Sequence, residues 1–143
     1  MVISLFIFFV FEISLTQAAE VNDSKPKVLI VNLSTDDTWK AATALRFVDS
    51  VLKEHIKVVL MLTAQAVRLA DKNLPQDITA LNDKSNLELL TEIVNMGGNV
   101  IVCPPCLGVA GITKEDLIKG CKMGSAKSII PELFESNVRT LSW

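Results

Sequence analysis

The chain has 143 residues, 50% of them hydrophobic, and a formal net charge of −2 at pH 7. This length corresponds to a single domain that is large enough to bury a core without relying on disulfides. Lysine and arginine are scattered and aromatic residues are few, so the chain offers neither a basic face for phosphates nor a platform for stacked bases. Nucleic acid is therefore excluded as a main partner.

Residues 1–18 predict a secretory signal peptide. The apolar run Val2–Phe11 has the length of a hydrophobic signal region, and Thr16 and Ala18 are small residues at the positions that a signal peptidase reads. Glu12 interrupts this run, which falls short of the roughly 20 apolar residues of a membrane span. We expect a periplasmic or secreted mature protein that is free of the membrane after cleavage. The alternative is an uncleaved N-terminal membrane anchor.

The first strand and the first helix follow from apolar patterning. The run Lys27–Leu33 is apolar over the length of a strand. Asp36 or Asp37 is then expected to cap a helix that runs to about His55. The inner face of this helix is marked by apolar residues at helical spacing, namely Ala41, Ala42, Leu45, Val48 and Leu52.

The middle of the chain repeats this alternation. A second buried strand, Ile56–Leu62, leads into a short helix, Thr63–Lys72, and then into a polar loop over residues 74–77. Ser85 and Glu88 form an S-x-x-E capping box that starts the next helix. Its inner side is expected to carry Leu87, Leu90, Ile93 and Val94. A Gly-Gly pair ends this helix, because glycine accepts the left-handed turn that follows a helix.

The third strand is predicted over Asn99–Cys103, so that it ends on the first cysteine of a CPPC sequence. After this sequence, Thr113 and Asp116 are expected to begin a short helix. Gly120 is expected to end it.

The last helix and strand complete the pattern. Ser125 or Ser128 is expected to cap the helix, in which Pro131 is tolerated only within the first turn. The final strand is predicted over Val138–Leu141. Strands that are apolar on both faces and alternate with amphipathic helices predict a three-layer α/β/α fold. Its sheet should be mostly parallel, with about five strands.

We expect residues 19–26 to be a polar leader and residues 27–143 to form this α/β domain. In such sheets, ligands and chemistry gather at the carboxyl ends of the strands. This rule selects the loops over residues 34–38, 63–65 and 103–111. The CPPC sequence lies in the last of them.

The CPPC sequence brings two thiols to a strand end. The second proline should hold Pro104 outside the helical region, so that Pro105 is the first helical residue and Cys106 lies in the first turn. Both sulfurs would then lie at the positive end of a helix, which favours thiolate over thiol. The free amides of Cys106 and Leu107 are available to a Cys103 thiolate.

Four interpretations of these thiols stay open on the residues alone. Cys103 and Cys106 suit a dithiol redox pair, a single nucleophile with a neighbouring thiol, or packing at a tight turn. A zinc site would need four ligands, and only Cys121 and His55 remain to complete the set. No metal site and no cofactor are therefore expected, and no phosphate-binding loop is present.

Several segments together resemble the DsrE/DsrF-like (YchN-like) family. These are GGNVIVCPPCLGVAGI, followed by TKEDLIKGCKMGSAKSIIPELFES and VRTLSW, and in the front half KVLIVNLSTDD, ALRFVDSVLKE and VVLMLTAQAVRLA. The resemblance covers the chain from about Lys27 to its end. It rests on the order of the elements and on a strand-end cysteine eight residues before a Gly-Ile pair, a spacing that Cys103 has to Gly111-Ile112.

The resemblance implies a small α/β domain that assembles as a homo-oligomer, a trimer or a hexamer. It implies that Cys103 accepts sulfane sulfur as a persulfide and passes it on, with Cys106 as an accessory thiol. A protein sulfur donor or acceptor is then an expected partner, and the protein would be a sulfurtransferase or sulfur carrier. The alternatives are a non-catalytic oligomeric binding module and dithiol–disulfide exchange by Cys103 and Cys106.

Other polar and aromatic residues have simpler interpretations. Asp36 and Asp37 are expected to act as helix caps. Arg68 is expected to be a solvated helix charge rather than an anion ligand, and Trp39 a packing or subunit-contact residue. His55 is expected to lie at a helix C-terminus. Cys121 is expected to be buried core.

Overall fold

The computed structural model describes residues 27–79, 81 and 83–143. The predicted signal peptide, residues 1–18, and the polar leader, residues 19–26, lie outside the described residues. Within the described ranges, no helix combines the length and the apolar character needed to cross a membrane.

The strands and helices alternate as expected. The strands are β1 (Val28–Leu33), β2 (Lys57–Leu62), β3 (Ile78–Thr79), β4 (Lys84–Ser85), β5 (Asn99–Val102), β6 (Lys122–Met123) and β7 (Val138–Ser142). The α-helices are α1 (Thr38–Lys53), α2 (Asn86–Asn95), α3 (Pro104–Ala110) and α4 (Ala126–Leu133). Two 3₁₀ helices cover Ala64–Ala70 and Lys114–Asp116.

The main sheet has five strands in the order β6-β5-β2-β1-β7, and every neighbouring pair is parallel. The predicted fold class is thereby confirmed. The two-residue strand β6 and the antiparallel β3–β4 hairpin were not predicted from the sequence. Such short strands have no apolar alternation from which they could be recognised.

The two faces of the sheet are covered unequally. Successive strand residues point to opposite faces, and they enter two separate apolar clusters. On one face, strand side chains such as Val31, Leu60 and Val102 pack with α1, α2, α3 and the 3₁₀ helix Ala64–Ala70. On the other face, Ile30, Val59 and Ile101 pack with Ile129 of α4. The first face therefore holds most of the hydrophobic core.

Side-chain caps fix the starts of α1 and α2. Asp37 caps α1, and its Oδ1 accepts from the Lys40 N–H at 2.9 Å. Ser85 and Glu88 form the predicted capping box of α2. Hydrogen bonds from the Ser85 backbone N–H and hydroxyl lower the pKa of the Glu88 carboxyl. A cap of this kind is worth about 1 kcal/mol.

Three of the sequence expectations need correction in local detail. Helix α3 begins at Pro104 rather than at Pro105, since both prolines fit the first helical turn, where no intrahelical N–H is needed. The segment after Thr113 forms only a single 3₁₀ turn, Lys114–Asp116, rather than a helix that reaches Gly120.

Pro131 is the third correction, because it lies inside α4 and beyond its first turn. The N-cap of α4 is Ser125, six residues before Pro131. The N–H that proline lacks would have been donated to the Lys127 carbonyl. Lys127 is exposed, so water can replace that donor.

Candidate functional site

The CPPC turn, Cys103–Cys106, lies at the carboxyl end of β5. The Cys103 N–H still donates to the Leu62 carbonyl of β2 at 3.0 Å, and the Cys103 carbonyl accepts from the Leu107 N–H at 3.1 Å. The cysteine is therefore held by the sheet through its amide and by the helix through its carbonyl. Cys103, predicted as the last residue of the strand, is the N-cap of α3 and directly follows β5.

Cys103 and Cys106 are joined by a disulfide. Their Cα atoms are 5.3 Å apart, within the range that a disulfide needs. Both cysteines are half-buried and pack against the larger apolar cluster. The turn therefore brings the two sulfurs to a separation at which they close a disulfide.

Each of the two sulfurs accepts a hydrogen bond from a backbone amide. The Cys106 N–H donates to Cys103 Sγ at 3.3 Å, as the sequence analysis expected. The Leu107 N–H, which was also expected to be available to this sulfur, donates to the Cys103 carbonyl. Cys106 Sγ accepts from the Ala64 N–H, also at 3.3 Å. Both donors belong to the backbone, and hydrogen bonds of this kind favour a thiolate over a thiol.

The Ala64 amide is the part of the site that sequence reasoning missed. Ala64 follows β2 and has a φ of 47°, in a left-handed region that alanine enters at a cost of about 1–2 kcal/mol. The loop over residues 63–65 was expected near the site because it follows the carboxyl end of a strand. No sequence pattern, however, predicts an alanine with a left-handed conformation. Strain of this kind is typical of sites whose geometry is set by the surrounding fold.

The two sulfur-bearing residues line different surface depressions. Cys103 lines an apolar groove of about 390 Å³ between β5, the CPPC turn and the start of α4. Cys106 lines a second depression of about 460 Å³, which the 3₁₀ helix Ala64–Ala70 and α3 enclose with Arg68 at its border. A molecule can therefore approach the dithiol from two sides with different chemistry.

Arg68 also borders a third, polar cavity of about 180 Å³. Its Nε lies 3.1 Å from Asp36 Oδ2, so Arg68 is in an ion pair rather than a free solvated charge, and Asp36 is not a helix cap. The buried Oδ1 atom of Asn86 and Oε1 atom of Gln76 line the same cavity without a hydrogen-bond partner among the described residues. Both partners of the ion pair are partly exposed to solvent, which screens their attraction, so the pair adds little stability.

The structure separates Cys121 from the CPPC dithiol chemically. Cys121 is a free cysteine that packs against the edge of the larger apolar cluster and is half-buried rather than fully buried. Burial raises the pKa of its thiol to about 11. At neutral pH it is therefore protonated and a poor nucleophile.

The remaining expected residues lie outside this dithiol site. Trp39 is exposed on the first turn of α1, and His55 follows the end of α1 with a φ of 58°. Among residues 27–79, 81 and 83–143, no cluster of three or more histidine, cysteine or acidic side chains is arranged to hold a metal ion.

Comparisons with known proteins identify the family and the fold. The family model described as DsrE/DsrF-like family matches residues 26–138. The chain is 34% identical over 99 residues to uncharacterized protein MJ0989 of Methanocaldococcus jannaschii, covering 68% of the chain and 82% of that protein. It is 31% identical over 98 residues to uncharacterized protein MK0008 of Methanopyrus kandleri, covering 68% and 78%.

Two solved structures share the fold. The ychN protein from E. coli superposes with a TM-score of 0.68 at 17% identity, covering 83% of this chain and 100% of that protein. The protein of unknown function MTH1491 from Methanobacterium thermoautotrophicum superposes with a TM-score of 0.64 at 12% identity, covering 82% and 99%. At these identities, the superpositions speak for the fold alone.

Proposed function

The chain belongs to the DsrE/DsrF-like family, and we propose that it handles sulfane sulfur through Cys103. In this proposal, Cys103 accepts a sulfur atom as a persulfide and passes it on, so that the protein is a sulfur carrier or sulfurtransferase. The observation that carries the proposal is the position of Cys103 at the carboxyl end of β5, half-exposed, with its sulfur hydrogen-bonded to the Cys106 amide.

The chemistry of persulfide formation supports this assignment. The attacking species is a thiolate, and a backbone N–H that donates to sulfur favours the charged form. Cys103 meets this requirement, and the groove beside it gives access to the sulfur from the side of α4. Cys121 does not meet it, because burial raises the pKa of its thiol.

The test is intact-mass spectrometry of reduced protein after incubation with glutathione persulfide. We expect the Cys106→Ser variant to gain the mass of one sulfur atom, because its Cys103 persulfide has no thiol beside it. The matched control, Cys103→Ser combined with Cys106→Ser, should gain none. Equal uptake in both variants, or no uptake in either, contradicts the proposal and leaves a non-catalytic binding module as the better interpretation.

Dithiol–disulfide exchange is the second candidate, and the Cys103–Cys106 disulfide favours it. Without sulfane sulfur, the same two thiols would transfer electrons to or from a protein dithiol. The distinguishing measurement is the oxidation of a reduced thiol substrate by the disulfide form. The second candidate is supported if the disulfide form oxidises the thiol substrate and the reduced protein takes up no sulfur from glutathione persulfide.

For the location of the protein we propose export, with cleavage of residues 1–18. The support is the apolar run Val2–Phe11 and the small residues that follow it. N-terminal sequencing of the protein from its native source should begin near Ala19. A soluble cytoplasmic form that retains residues 1–18 would contradict this proposal.

We also propose a homo-oligomer, a trimer or a hexamer. The support is the thin cover that α4 gives to one face of the sheet, together with large apolar side chains that are open to solvent. Phe134 is 84% exposed, Trp39 65% and Ile130 51%. Exposed aromatic side chains such as Phe134 and Trp39 are enriched at protein interfaces. Sedimentation at micromolar concentration tests this point, and a purely monomeric protein contradicts it.

A further inference from the structure

The disulfide between Cys103 and Cys106 shows that either sulfur, once reduced, lies within bonding reach of the other. We propose that Cys106 resolves a persulfide on Cys103 and thereby releases the sulfane sulfur as hydrosulfide. This inference rests on the proposed function of Cys103 as the sulfur acceptor. It adds a reductive activity to that function, so that the protein discharges sulfur as hydrosulfide as well as accepting it.

The reaction balances without a further reactant in its first turnover. The Cys106 thiolate attacks Cys103 Sγ, the inner sulfur of the persulfide, and forms the Cys103–Cys106 disulfide. The bond between Cys103 Sγ and the outer sulfur breaks, and the outer sulfur leaves with the bonding electron pair and its proton as HS⁻. The two cysteine sulfurs are oxidised and the sulfane sulfur is reduced. A dithiol reductant, from a protein or a small molecule, then restores both thiols.

The backbone around the turn directs the attack to the inner sulfur. The Cys103 amide is held by the Leu62 carbonyl, and its carbonyl is held by the Leu107 amide. The two residues between the cysteines are prolines, whose φ angles are fixed by their rings. These restraints do not depend on the disulfide bond, so we expect the Cα separation of 5.3 Å to persist on reduction. At this separation, Cys106 Sγ reaches Cys103 Sγ itself.

Cys106 is placed to act as this nucleophile by a loop outside the turn. The Ala64 N–H, from the segment that follows β2, donates to Cys106 Sγ at 3.3 Å. A donor aimed at sulfur favours its thiolate, which is the attacking species in thiol–disulfide exchange. Cys103 has its own donor in the Cys106 amide. The hydrogen bonds thus supply one stabilised thiolate for accepting sulfur and another for discharging it.

The experiment is a single turnover on the full reduced chain, freed of reductant and mixed with one equivalent of glutathione persulfide under anaerobic conditions. Trapped hydrosulfide and intact protein mass are measured on the same samples, against a blank without protein. We expect wild type to release one hydrosulfide per chain and to lose the mass of two hydrogen atoms. Cys106→Ser should release none above the blank and should keep one extra sulfur atom. Cys121→Ser, the matched control, should behave as wild type.

The outcomes separate this inference from the function on which it rests. A wild-type chain that keeps one extra sulfur atom and still has an alkylatable Cys106 overturns the resolving role, while the proposed function stands. If Cys106→Ser takes up no sulfur although circular dichroism shows it folded, the proposed function fails. Should Cys106→Ser not fold, Cys106→Ala replaces it in the same measurement. Hydrosulfide release at the wild-type rate by whichever Cys106 variant is folded also overturns the inference.

Discussion

The CPPC turn and the segment around Cys121 both carry half-buried cysteines that pack against the same apolar cluster, yet their chemistry differs. In the CPPC turn, each sulfur accepts a backbone amide at 3.3 Å. At Cys121, burial dominates and raises the pKa of the thiol to about 11. The comparison teaches that partial burial does not decide whether a cysteine is reactive. What decides it is whether the fold aims a donor at the sulfur.

The largest expected difference is in the rate of alkylation. A pKa of about 11 against an ordinary 9.0 lowers the thiolate fraction of Cys121 at neutral pH by about 100-fold. In the CPPC turn, by contrast, the backbone amides that donate to the two sulfurs favour the thiolate. Iodoacetamide labelling of reduced protein, followed by peptide mapping, should therefore label Cys103 more than ~100 times faster than Cys121.

The pH profile of this labelling sharpens the comparison. Labelling of Cys121 should rise only as the pH approaches 11, whereas labelling of Cys103 should already be fast at neutral pH. Unfolded protein in urea serves as the control, and in it all three cysteines should react alike. If native Cys121 reacts as fast as Cys103 at neutral pH, the comparison is wrong.

A second prediction concerns the glycine before Cys121. Gly120 has a φ of 98°, and a Cβ atom there would lie 2.3 Å from Val94 Cγ1. Gly120→Ala combines a backbone cost of about 1–2 kcal/mol with overpacking of about 1–3 kcal/mol. We expect the free energy of unfolding in urea to fall by about 2–5 kcal/mol, and labelling of Cys121 to accelerate as the segment loosens.

Gly97→Ala is the control for this substitution. Gly97 has a similar φ of 90°, but a Cβ atom there would meet nothing within 4 Å. Only the backbone cost of about 1–2 kcal/mol should remain. If the two variants lose the same free energy of unfolding, the contact with Val94 does not contribute to the effect of Gly120→Ala.

A third prediction perturbs the other region through Gly124, which lines the groove beside Cys103. A Cβ atom there would lie 2.8 Å from Ile101 Cγ2 and 3.2 Å from the Val102 carbonyl oxygen. Gly124→Ala should therefore cost about 1–3 kcal/mol of unfolding free energy by overpacking. It should also change the labelling rate of Cys103 and leave that of Cys121 unchanged.

Gly108→Ala in α3 is the matched control for Gly124→Ala. A Cβ atom at Gly108 would meet nothing within 4 Å, and alanine stabilises a helix interior by about 0.5–1 kcal/mol relative to glycine. This variant should be slightly more stable, with the labelling rates of all three cysteines as in wild type. A destabilised Gly108→Ala would mean that α3 is packed differently from the structure.

The smallest expected effect is that of acid on the segment between the two regions. Hydrogen bonds from the Thr113 hydroxyl and then from its backbone N–H lower the pKa of the Asp116 carboxyl below 3.8. Because the folded-state pKa is lowered, this contribution to stability is present above pH 3.8 and is lost as the pH falls through the folded-state value. Asp116→Asn should flatten this part of the acid-unfolding curve. An unchanged curve would contradict the role of this capping box.

The parallel sheet and the capped helices were predictable because they depend on local patterns. Apolar runs such as Lys27–Leu33 and the Ser85–Glu88 box identify their elements without tertiary information. The position of Cys103 at a strand end followed from the same patterns. The amide of Ala64 could not be predicted, because a left-handed alanine and a contact between residues 42 positions apart depend on the assembled fold. The expectation that Pro131 lies in the first turn of its helix was wrong. The local rule assumes that a lost backbone hydrogen bond breaks a helix, but the exposed side of α4 tolerates the loss.

The most direct test of the account locates the accepted sulfur atom within the chain. Reduced Cys106→Ser protein is treated with glutathione persulfide, alkylated and digested, and the peptides that carry Cys103 and Cys121 are compared by mass spectrometry. We expect an alkylated persulfide on the Cys103 peptide and an alkylated thiol without an extra sulfur atom on the Cys121 peptide. Sulfur on the Cys121 peptide, or on neither peptide, would contradict the assignment of Cys103 as the sulfur acceptor.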